Sequence, residues 1–234
     1  MDERARGLLL RTYPLSDTSL IVRWLTREHG KIATVAKGAR RPKSPFAGKL
    51  DLFFLCDLSF VRSRKSELHA LKEVGLLDSW PELRRDLSRL HRAAYVAALI
   101  EQTTEPDSPV PELFELLLGF LQTLRSAGFQ SVAGTAKVVR AASSSLPCSN
   151  AAALQVLSFE LKLLQLLGLD PLEQQGKLSA GAKQLLKHFV RADWDALARL
   201  RLTSGQFAEL SQFLYGFMVF HLGKVPAGRG KALS

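Results

Sequence analysis

The chain has 234 residues, a formal net charge of +10 at pH 7 and a sequence pI of about 9.9. This length accommodates one large domain or two small ones, and the excess of positive charge favours acidic partners. Two cysteines are too few for a disulfide framework, and no apolar run is long enough for a transmembrane helix. The apolar run at residues 7–10 is also too short for the core of a signal peptide. We therefore expect a cytoplasmic protein without a membrane partner.

Period-two alternation of apolar residues predicts five β-strands in the first third of the chain, at residues 7–13, 20–25, 31–37, 50–62 and 67–74. The third strand, for example, places Ile32, Thr34 and Ala36 on one face. Five strands, of which the fourth is long enough to bend, favour a closed barrel because closure leaves no strand edge unpaired. The five-stranded OB-fold barrel is the simplest such architecture. We therefore predict an OB-fold nucleic-acid-binding domain at residues 1–80.

A cationic loop connects the third and fourth predicted strands. We call residues 37–49 the basic loop, and its two glycines and two prolines exclude a regular helix or a central strand. No acidic residue lies between Glu28 and Asp51, whereas six cations do: Lys31, Lys37, Arg40, Arg41, Lys43 and Lys49. Cations along an exposed loop suit a polyanion with a repeating charge, such as a nucleic-acid backbone. On charge alone, a solvated surface loop without a ligand is an equal alternative.

Aromatic residues near the basic loop are candidates for stacking on nucleic-acid bases. Phe46 lies within the loop, and the sequence leaves open whether its ring is exposed or belongs to the core. We include it in the predicted nucleic-acid-binding set. For Trp24 and Phe53, burial in the core is the favoured interpretation.

After Pro81 the apolar period changes from two to about 3.6, which predicts an all-α helical domain at residues 81–234. The first helix carries an apolar stripe: Leu83, Leu87, Leu90, Ala94, Ala97 and Ala98. Further helices are predicted at residues 113–124, 154–167, 182–190, 194–200 and 206–222, with a serine-rich loop at residues 141–150. Residues 224–231 are predicted to form a flexible basic tail. The predicted fold class is therefore α+β, with an N-terminal five-stranded OB-fold β-barrel followed by helices.

Four arginines mark the first predicted helix as a second candidate site: Arg84, Arg85, Arg89 and Arg92. The last three have the i, i+4, i+7 spacing of a single helix face. This face is either simply solvated or forms a cationic rim beside an apolar groove. Such a rim suits an acidic peptide that ends in hydrophobic residues.

The sequence contains no recognisable catalytic constellation. Its five histidines lack the spacing of a metalloprotease motif, and the lysines near Gly30 and Gly38 do not fit a phosphate-binding P-loop. We therefore predict a protein that is not an enzyme and uses no cofactor.

Several segments together carry a family resemblance. The most specific are residues 17–25, the turn Thr26-Arg27-Glu28-His29-Gly30-Lys31 and residues 36–44. Weaker similarity lies at residues 81–87, 111–117, 159–168 and 221–223. With these segments, over nearly its whole length, the chain resembles the RecO family of bacterial recombination mediator proteins.

The resemblance implies an OB domain, a helical domain and a non-enzymatic role in DNA repair and homologous recombination. It further implies a bacterial cytoplasmic protein that associates with the nucleoid. It also implies binding of single- and double-stranded DNA, strand annealing, and partnership with RecR and with the acidic C-terminal tail of single-stranded-DNA-binding protein. In this interpretation the cations of the basic loop neutralise phosphates without reading bases, and the four arginines receive the tail. A general OB-type RNA-binding factor and a protein-interaction scaffold are the alternatives.

One segment departs from the family pattern. Many RecO proteins carry a four-cysteine zinc module between the long apolar helix and the short helices that follow, whereas residues 169–179 contain no cysteine here. Structural zinc needs about four nitrogen or sulfur ligands. Cys56 and Cys148 lie far from this segment in the sequence, so we predict no zinc module.

Overall fold

The computed structural model describes residues 2–126, 151–173 and 178–234. Five strands form a closed barrel: β1 (Asp2–Pro14), β2 (Leu20–Thr26), β3 (Gly30–Ala36), β4 (Leu55–Val61) and β5 (Leu68–Asp78). They are hydrogen-bonded in the order β1-β2-β3-β5-β4, and β4 pairs with β1 to close the barrel. Only the β3–β5 pair is parallel among these pairs. The predicted five-stranded barrel of the OB type is confirmed.

Alternating side chains fill the barrel. Along β3 buried and half-buried residues alternate at every position, which places Ile32, Thr34 and Ala36 inside. Trp24 is fully buried, and its indole N–H donates to the hydroxyl of Thr34 at 2.9 Å, so the polar atom of this large core residue is satisfied. Trp24 and Phe53 are both core residues, which confirms the burial that was predicted for them.

The long, bent strand of the barrel is β1 rather than the fourth strand. β4 begins at Leu55 and not near residue 50, because Phe53 has a left-handed φ of 66° that ends the extended conformation. β1 spans 13 residues and pairs with both β2 and β4. Its register shifts between Leu9 and Arg11, and such a bulge bends a strand.

Eight helices are present in the described part of the chain: α1 (Pro81–Arg84), α2 (Leu87–Thr103), α3 (Pro111–Ser126), α4 (Ala151–Leu166), α5 (Ala180–Arg191), α6 (Trp194–Arg199), α7 (Ser204–Leu222) and α8 (Arg229–Leu233). The predicted α+β class is therefore confirmed. The predicted serine-rich loop at residues 141–150, together with Cys148, lies outside the described residues. Within those residues, every helix is too short or too polar to span a lipid bilayer.

The first predicted helix is in fact two helices. Asp86 lies between them and caps α2, because its carboxylate accepts from the N–H groups of Ser88 at 2.8 Å and Arg89 at 3.3 Å. The predicted apolar stripe is also partly wrong, since Leu87 is 67% exposed and Ala94 is exposed. The buried residues of α2 are instead Arg92, Ala93, Tyr95, Val96, Ala97, Leu99 and Ile100. Apolar residues occupy most faces of α2, so periodicity alone could not select the buried one.

The described residues divide into two compact units. One runs to Leu118 and includes Pro226–Gly228, so it contains the barrel, α1 and α2. The other begins at Gly119 and includes Arg229–Ser234. The predicted division into residues 1–80 and 81–234 remains a prediction.

The prediction of a flexible C-terminal tail is wrong, because a buried ion pair in the second unit fixes Arg229. The guanidinium of Arg229 donates to both carboxylate oxygens of Glu160, at 2.7 and 2.8 Å, and Glu160 is fully buried in α4. Arg229 begins α8, in which Ala232 is also buried. Arg229 and α8 are therefore held against α4, through a residue that lies 69 positions away in sequence.

Candidate nucleic-acid interface

The basic loop folds into consecutive tight turns. Four N–H groups, those of Arg41, Ser44, Ala47 and Lys49, each donate to the carbonyl three residues earlier at 3.0 or 3.1 Å. Gly38 and Gly48 have φ angles of 70° and 71°, a backbone conformation that suits glycine. The glycines and prolines that exclude a helix or strand therefore allow a compact connection with outward-pointing side chains.

Phe46 anchors the basic loop to the barrel. Its side chain is only 6% exposed and packs in the same core cluster as Trp24 and Phe54, with Ala39 and Leu50 against that cluster. A buried ring cannot stack on a base, so the condition for the predicted role of Phe46 in base stacking is not met. The sequence could not distinguish these roles because an apolar residue in a loop suits either.

Four of the predicted cations lie at the surface: Lys37, Arg40, Arg41 and Lys43 are all exposed. Within the described residues, Lys37, Arg41 and Lys43 form no ion pair, so their charges face water. Arg40 is held against the β1–β2 connection, because its N–H donates to the carbonyl of Thr18 at 3.0 Å and its guanidinium to that of Ser16 at 3.2 Å. Lys49 is half-buried. The loop thus presents a cationic surface on a fixed backbone.

Lys31 lies apart from this surface. Its ammonium donates to the carbonyl oxygens of Glu101, at 2.8 Å, and of Thr104, both in the last turn and cap of α2. Burial lowers the pKa of Lys31, since the charged form loses water. Because its donors point at protein carbonyls, Lys31 acts as a link between β3 and α2 in this structure.

The four arginines of the second candidate site do not share one helix face. Arg84 forms an ion pair with Asp51 at 3.1 Å, and its guanidinium lies 4.8 Å from the ring centroid of Phe54. This arginine therefore binds the segment that precedes β4. Arg85 is exposed in the connection between α1 and α2.

The other two arginines belong to α2 and are engaged within the protein. Arg89 pairs with the capping carboxylate of Asp86 at 3.2 Å. Arg92 is 8% exposed, and burial lowers its pKa. Of the predicted tail-binding set, Arg85 is the member whose charge is most accessible; its use by a partner remains a prediction.

A groove on the outer face of the barrel was not among the sites predicted from the sequence. The groove has a volume of about 570 Å³ and includes Tyr13 on β1, Arg23 on β2 and Ala33 on β3. The guanidinium of Arg23 lies 5.3 Å from the ring centroid of Tyr13. The alternation carries the signal, because Arg23 and Ala33 lie next to buried residues of the same strands.

An ion-pair network fixes one side of the same unit. Arg62 binds Glu3 of β1 at 3.0 Å and Asp107, after α2, at 2.7 Å. The hydrogen bond from Arg62 lowers the pKa of Glu3, because it stabilises the carboxylate. The same hydrogen bond raises the pKa of Arg62.

The described residues contain no cluster of three or more His, Cys, Asp or Glu side chains that could hold a metal ion. Residues 174–177, in the segment that lacks the zinc cysteines of the family, lie outside the described residues. Cys56 is buried in the barrel, and burial raises the pKa of its thiol to about 12. This cysteine is a core residue and not a reactive thiolate.

Two family models match this sequence. Residues 1–80, which contain the whole barrel and the basic loop, match the model described as Recombination protein O N terminal. Residues 84–136 match the model described as Recombination protein O C terminal. The DNA repair protein RecO of Rhodopirellula baltica is 30% identical over 217 residues, which cover 83% of this chain and 72% of that protein. The chain belongs to the RecO family.

Other RecO proteins align over shorter segments. The DNA repair protein RecO of Bacillus subtilis is 38% identical over 121 residues, which cover 52% of this chain and 47% of that protein. The DNA repair protein RecO of Syntrophus aciditrophicus is 35% identical over 118 residues, which cover 50% of this chain and 46% of that protein. In these two alignments the chain spans about half the length of the relative. The resemblance to the RecO family is confirmed, and that family supports a role in DNA repair and recombination.

Proposed function

We propose that this RecO-family protein is a non-enzymatic mediator of DNA repair and recombination that binds single- and double-stranded DNA and promotes strand annealing. The observation that carries the proposal is the basic loop, in which exposed cations stand on a backbone anchored by Phe46 and Arg40. The names of the matching family and relatives, which concern recombination and DNA repair, support the same role.

The cations of the basic loop act on the phosphates of DNA. Phosphates are common to single and double strands, so contacts to them give affinity without sequence preference. The loop is already folded before it binds, because its turns and the buried Phe46 fix the backbone. Binding to a fixed loop loses little conformational entropy.

Strand annealing follows from the same chemistry. Two complementary strands repel each other through their phosphates, and a cationic surface lowers that repulsion. Holding both strands on one protein also raises their effective concentration, which accelerates pairing without covalent chemistry. No catalytic residue is needed for this step.

A protein partner brings the annealer to its substrate. We assign the acidic C-terminal tail of single-stranded-DNA-binding protein to the surface around Arg85, in the connection between α1 and α2, and Leu87, the first residue of α2, which are both exposed. A cation beside an exposed leucine suits an acidic peptide with an apolar end. RecR is the second proposed partner, for which we assign no surface.

Fluorescence titration with a labelled acidic tail peptide tests this assignment. Arg85→Glu should weaken peptide binding, because it reverses the most accessible charge at the site. Arg201→Glu makes the same charge change at an exposed position in the other compact unit. This control variant should bind the peptide like the wild type. Equal peptide affinity in the wild type and Arg85→Glu would contradict the assignment of the tail to this surface.

An annealing assay tests the function as a whole. Complementary strands coated with single-stranded-DNA-binding protein are mixed with and without the wild-type chain, in the absence of nucleotide. We expect faster annealing with the wild type and no acceleration with a variant in which Lys37, Arg40, Arg41 and Lys43 are alanine. A control removes the same charge elsewhere, at Lys187, Arg191, Arg201 and Lys231, and should anneal like the wild type.

Three results would contradict the proposal. A wild-type chain that does not accelerate annealing would exclude the annealing role. Equal rates in the wild type and the basic-loop variant would favour a protein scaffold, in which the loop serves only solubility. Preference for RNA over single-stranded DNA of equal length in a competition experiment would favour a general RNA-binding factor.

A further inference from the structure

Helix α7, in the second unit, carries a groove on its exposed side. The groove has a volume of about 560 Å³; Leu178 lines one end, and the other lining residues all belong to α7. Phe213, Gly216 and Phe220 are among them. The side chain of Phe220 is 80% exposed, more than any other large apolar side chain among the described residues. We call this surface the α7 groove.

One stripe along α7 has the spacing of a helix-packing seam. Its members follow one another at intervals of four, three and four residues: Glu209, Phe213, Gly216 and Phe220. Such intervals are the heptad pattern of a helix that packs lengthwise against a second helix. The helix meets the core of its own unit mainly through other residues: Leu210, Leu214, Phe217 and Met218. A second packing pattern therefore faces solvent.

Gly216 in the middle of this stripe is not explained by packing within the described residues. Glycine in a helix interior costs stability relative to alanine. At Gly119 the reason for glycine is visible, because a Cβ there would lie 2.8 Å from the indole nitrogen of Trp194. A Cβ on Gly216 would meet open space, and Gly216 has no positive φ that would require glycine. What this glycine does is keep the groove open, which permits the close approach of another helix.

The face around the groove is almost uncharged, although the chain is strongly basic. Glu209 is the one Asp, Glu, Lys or Arg residue among the 19 residues of α7, whereas the chain has a net charge of +10. Like charges keep two copies of such a chain apart over most of their surface. They can approach each other with the least repulsion along α7. A nucleic acid or an acidic peptide, in contrast, would find no lysine or arginine on this helix.

The same face carries both halves of a contact with itself. In an antiparallel pair of α7 helices centred near Gly216, the exposed Phe220 ring of each copy meets the groove of the other, and the two-fold axis repeats the contact. This arrangement brings Glu209 of each copy towards the helix end that Lys224 follows in the second copy. A parallel pair would instead place the two Glu209 carboxylates side by side. Shape and charge therefore both favour the antiparallel pair.

We propose that the α7 groove is a self-association surface, through which two copies of this chain form an antiparallel dimer with Phe220 of each copy in the groove of the other. A helix of this length, roughly 28 Å, buries less area in one pairing than a standard protein–protein interface does. The dimer is therefore weak, with a dissociation constant in the micromolar range. The inference does not depend on DNA binding. It adds to the proposed function that each dimer carries two basic loops, one for each strand.

Sedimentation equilibrium of the full chain without DNA tests the dimer, at protein concentrations below and above the micromolar range. The apparent mass should rise with concentration from 25.9 kDa towards twice that value. Gly216→Gln fills the groove without a clash in the monomer, and we expect it to weaken self-association at least tenfold. Gly205→Gln is the matched control, because Gly205 also lies in α7 with open space at its Cβ position but does not line the groove.

Thermal unfolding separates a lost contact from a lost fold. At a concentration at which both proteins are monomeric, Gly216→Gln should unfold at the same temperature as the wild type or above it, because glutamine favours a helix more than glycine does. Phe220→Ser is a second variant, which removes the exposed ring and should also weaken the dimer. Leu87→Ser removes an exposed apolar side chain from the other unit and should dimerise like the wild type.

A charge substitution reports the orientation of the two helices. In the antiparallel pair, Glu209→Gln removes an attraction to the region of Lys224 in the second copy and should weaken the dimer. In a parallel pair it would remove a repulsion. Tighter self-association in Glu209→Gln would therefore contradict the antiparallel arrangement.

Two further results would overturn the inference. One is a wild-type chain that stays at the monomer mass at every concentration, which would leave the α7 groove for a different partner. The other is a dimer that persists unchanged in Gly216→Gln and Phe220→Ser, because self-association would then use another face. Neither result bears on the basic loop, since no DNA is present in these experiments.

Discussion

The ammonium of Lys31 donates to the carbonyl oxygen of Glu101 at 2.8 Å, which ties β3 of the barrel to the last turn of α2. Carbonyl groups at a helix C-terminus lack intrahelical partners and carry partial negative charge, so a cation there is stabilising. Lys31 is thus a lysine of the predicted DNA-binding set whose charge serves the fold.

Replacement of Lys31 by methionine should therefore affect stability more than DNA binding. We expect the free energy of unfolding to fall by about 1–3 kcal/mol, because partly buried carbonyls lose their donor. Urea denaturation followed by tryptophan fluorescence, to which the buried Trp24 contributes, measures this change. Lys37→Met, at an exposed position, is the control. It should weaken DNA binding more than it lowers the free energy of unfolding. A stable Lys31→Met protein with weakened DNA binding would return Lys31 to the phosphate-binding set.

Loss of the Phe46 ring should release the basic loop from the barrel. Phe46→Ala leaves a cavity in the core cluster, and we expect a loss of about 3–5 kcal/mol in the free energy of unfolding. Pro45→Ala, at the exposed neighbouring position, should have a much smaller effect. Unchanged stability in Phe46→Ala would mean that the ring does not anchor the loop.

The pair of Arg229 and Glu160 should be a major determinant of stability in the second unit. Arg229→Ala leaves a buried carboxylate without its cation, and we expect a cost of about 3–5 kcal/mol in urea denaturation. The double variant Arg229→Met with Glu160→Leu removes both charges and should regain most of the loss. A single variant as stable as the wild type would show that the tail does not depend on this pair.

The ion pair of Glu3 and Arg62 should make stability depend on pH in the acid range. The pKa of Glu3 is lowered in the folded protein, so its contribution is fully present above the usual glutamate pKa. It is lost as the pH falls through the lowered value, where the carboxylate takes up a proton. We therefore expect Glu3→Gln to be less stable than the wild type at pH 7, with a difference that shrinks on acidification.

Urea denaturation at a series of pH values measures this difference. The control is Glu112→Gln, at an exposed position on α3. A stability difference between Glu3→Gln and the wild type that stays constant from neutral to acid pH would exclude the ion pair as the cause.

Local patterns predicted the barrel well, where each strand has one face in the core. The third strand was predicted at residues 31–37 and is observed at Gly30–Ala36, because strict alternation leaves little freedom of register. The start of β4 was missed, since the left-handed backbone of Phe53 depends on closure against β1. The break before α2 had a readable signal in Asp86, a residue type that favours helix N-caps.

The candidate site was predicted in part for similar reasons. A run of cations without acidic residues can be read directly from the sequence, so four cations of the basic loop were predicted correctly as exposed. Whether a given cation is free depends on distant groups: Lys31 meets carbonyls some 70 residues away, and Arg92 is buried by the packing of α2.

The central claim is that the basic loop neutralises the phosphates of bound DNA, and its most direct test is the salt dependence of single-strand affinity. If about four phosphates are neutralised, the logarithm of the association constant should fall with the logarithm of salt concentration at a slope near −3. The Lys37/Arg40/Arg41/Lys43→Ala variant should show a much shallower slope and weaker binding at low salt. Equal slopes in the two proteins, or a wild-type affinity that does not respond to salt, would contradict the account.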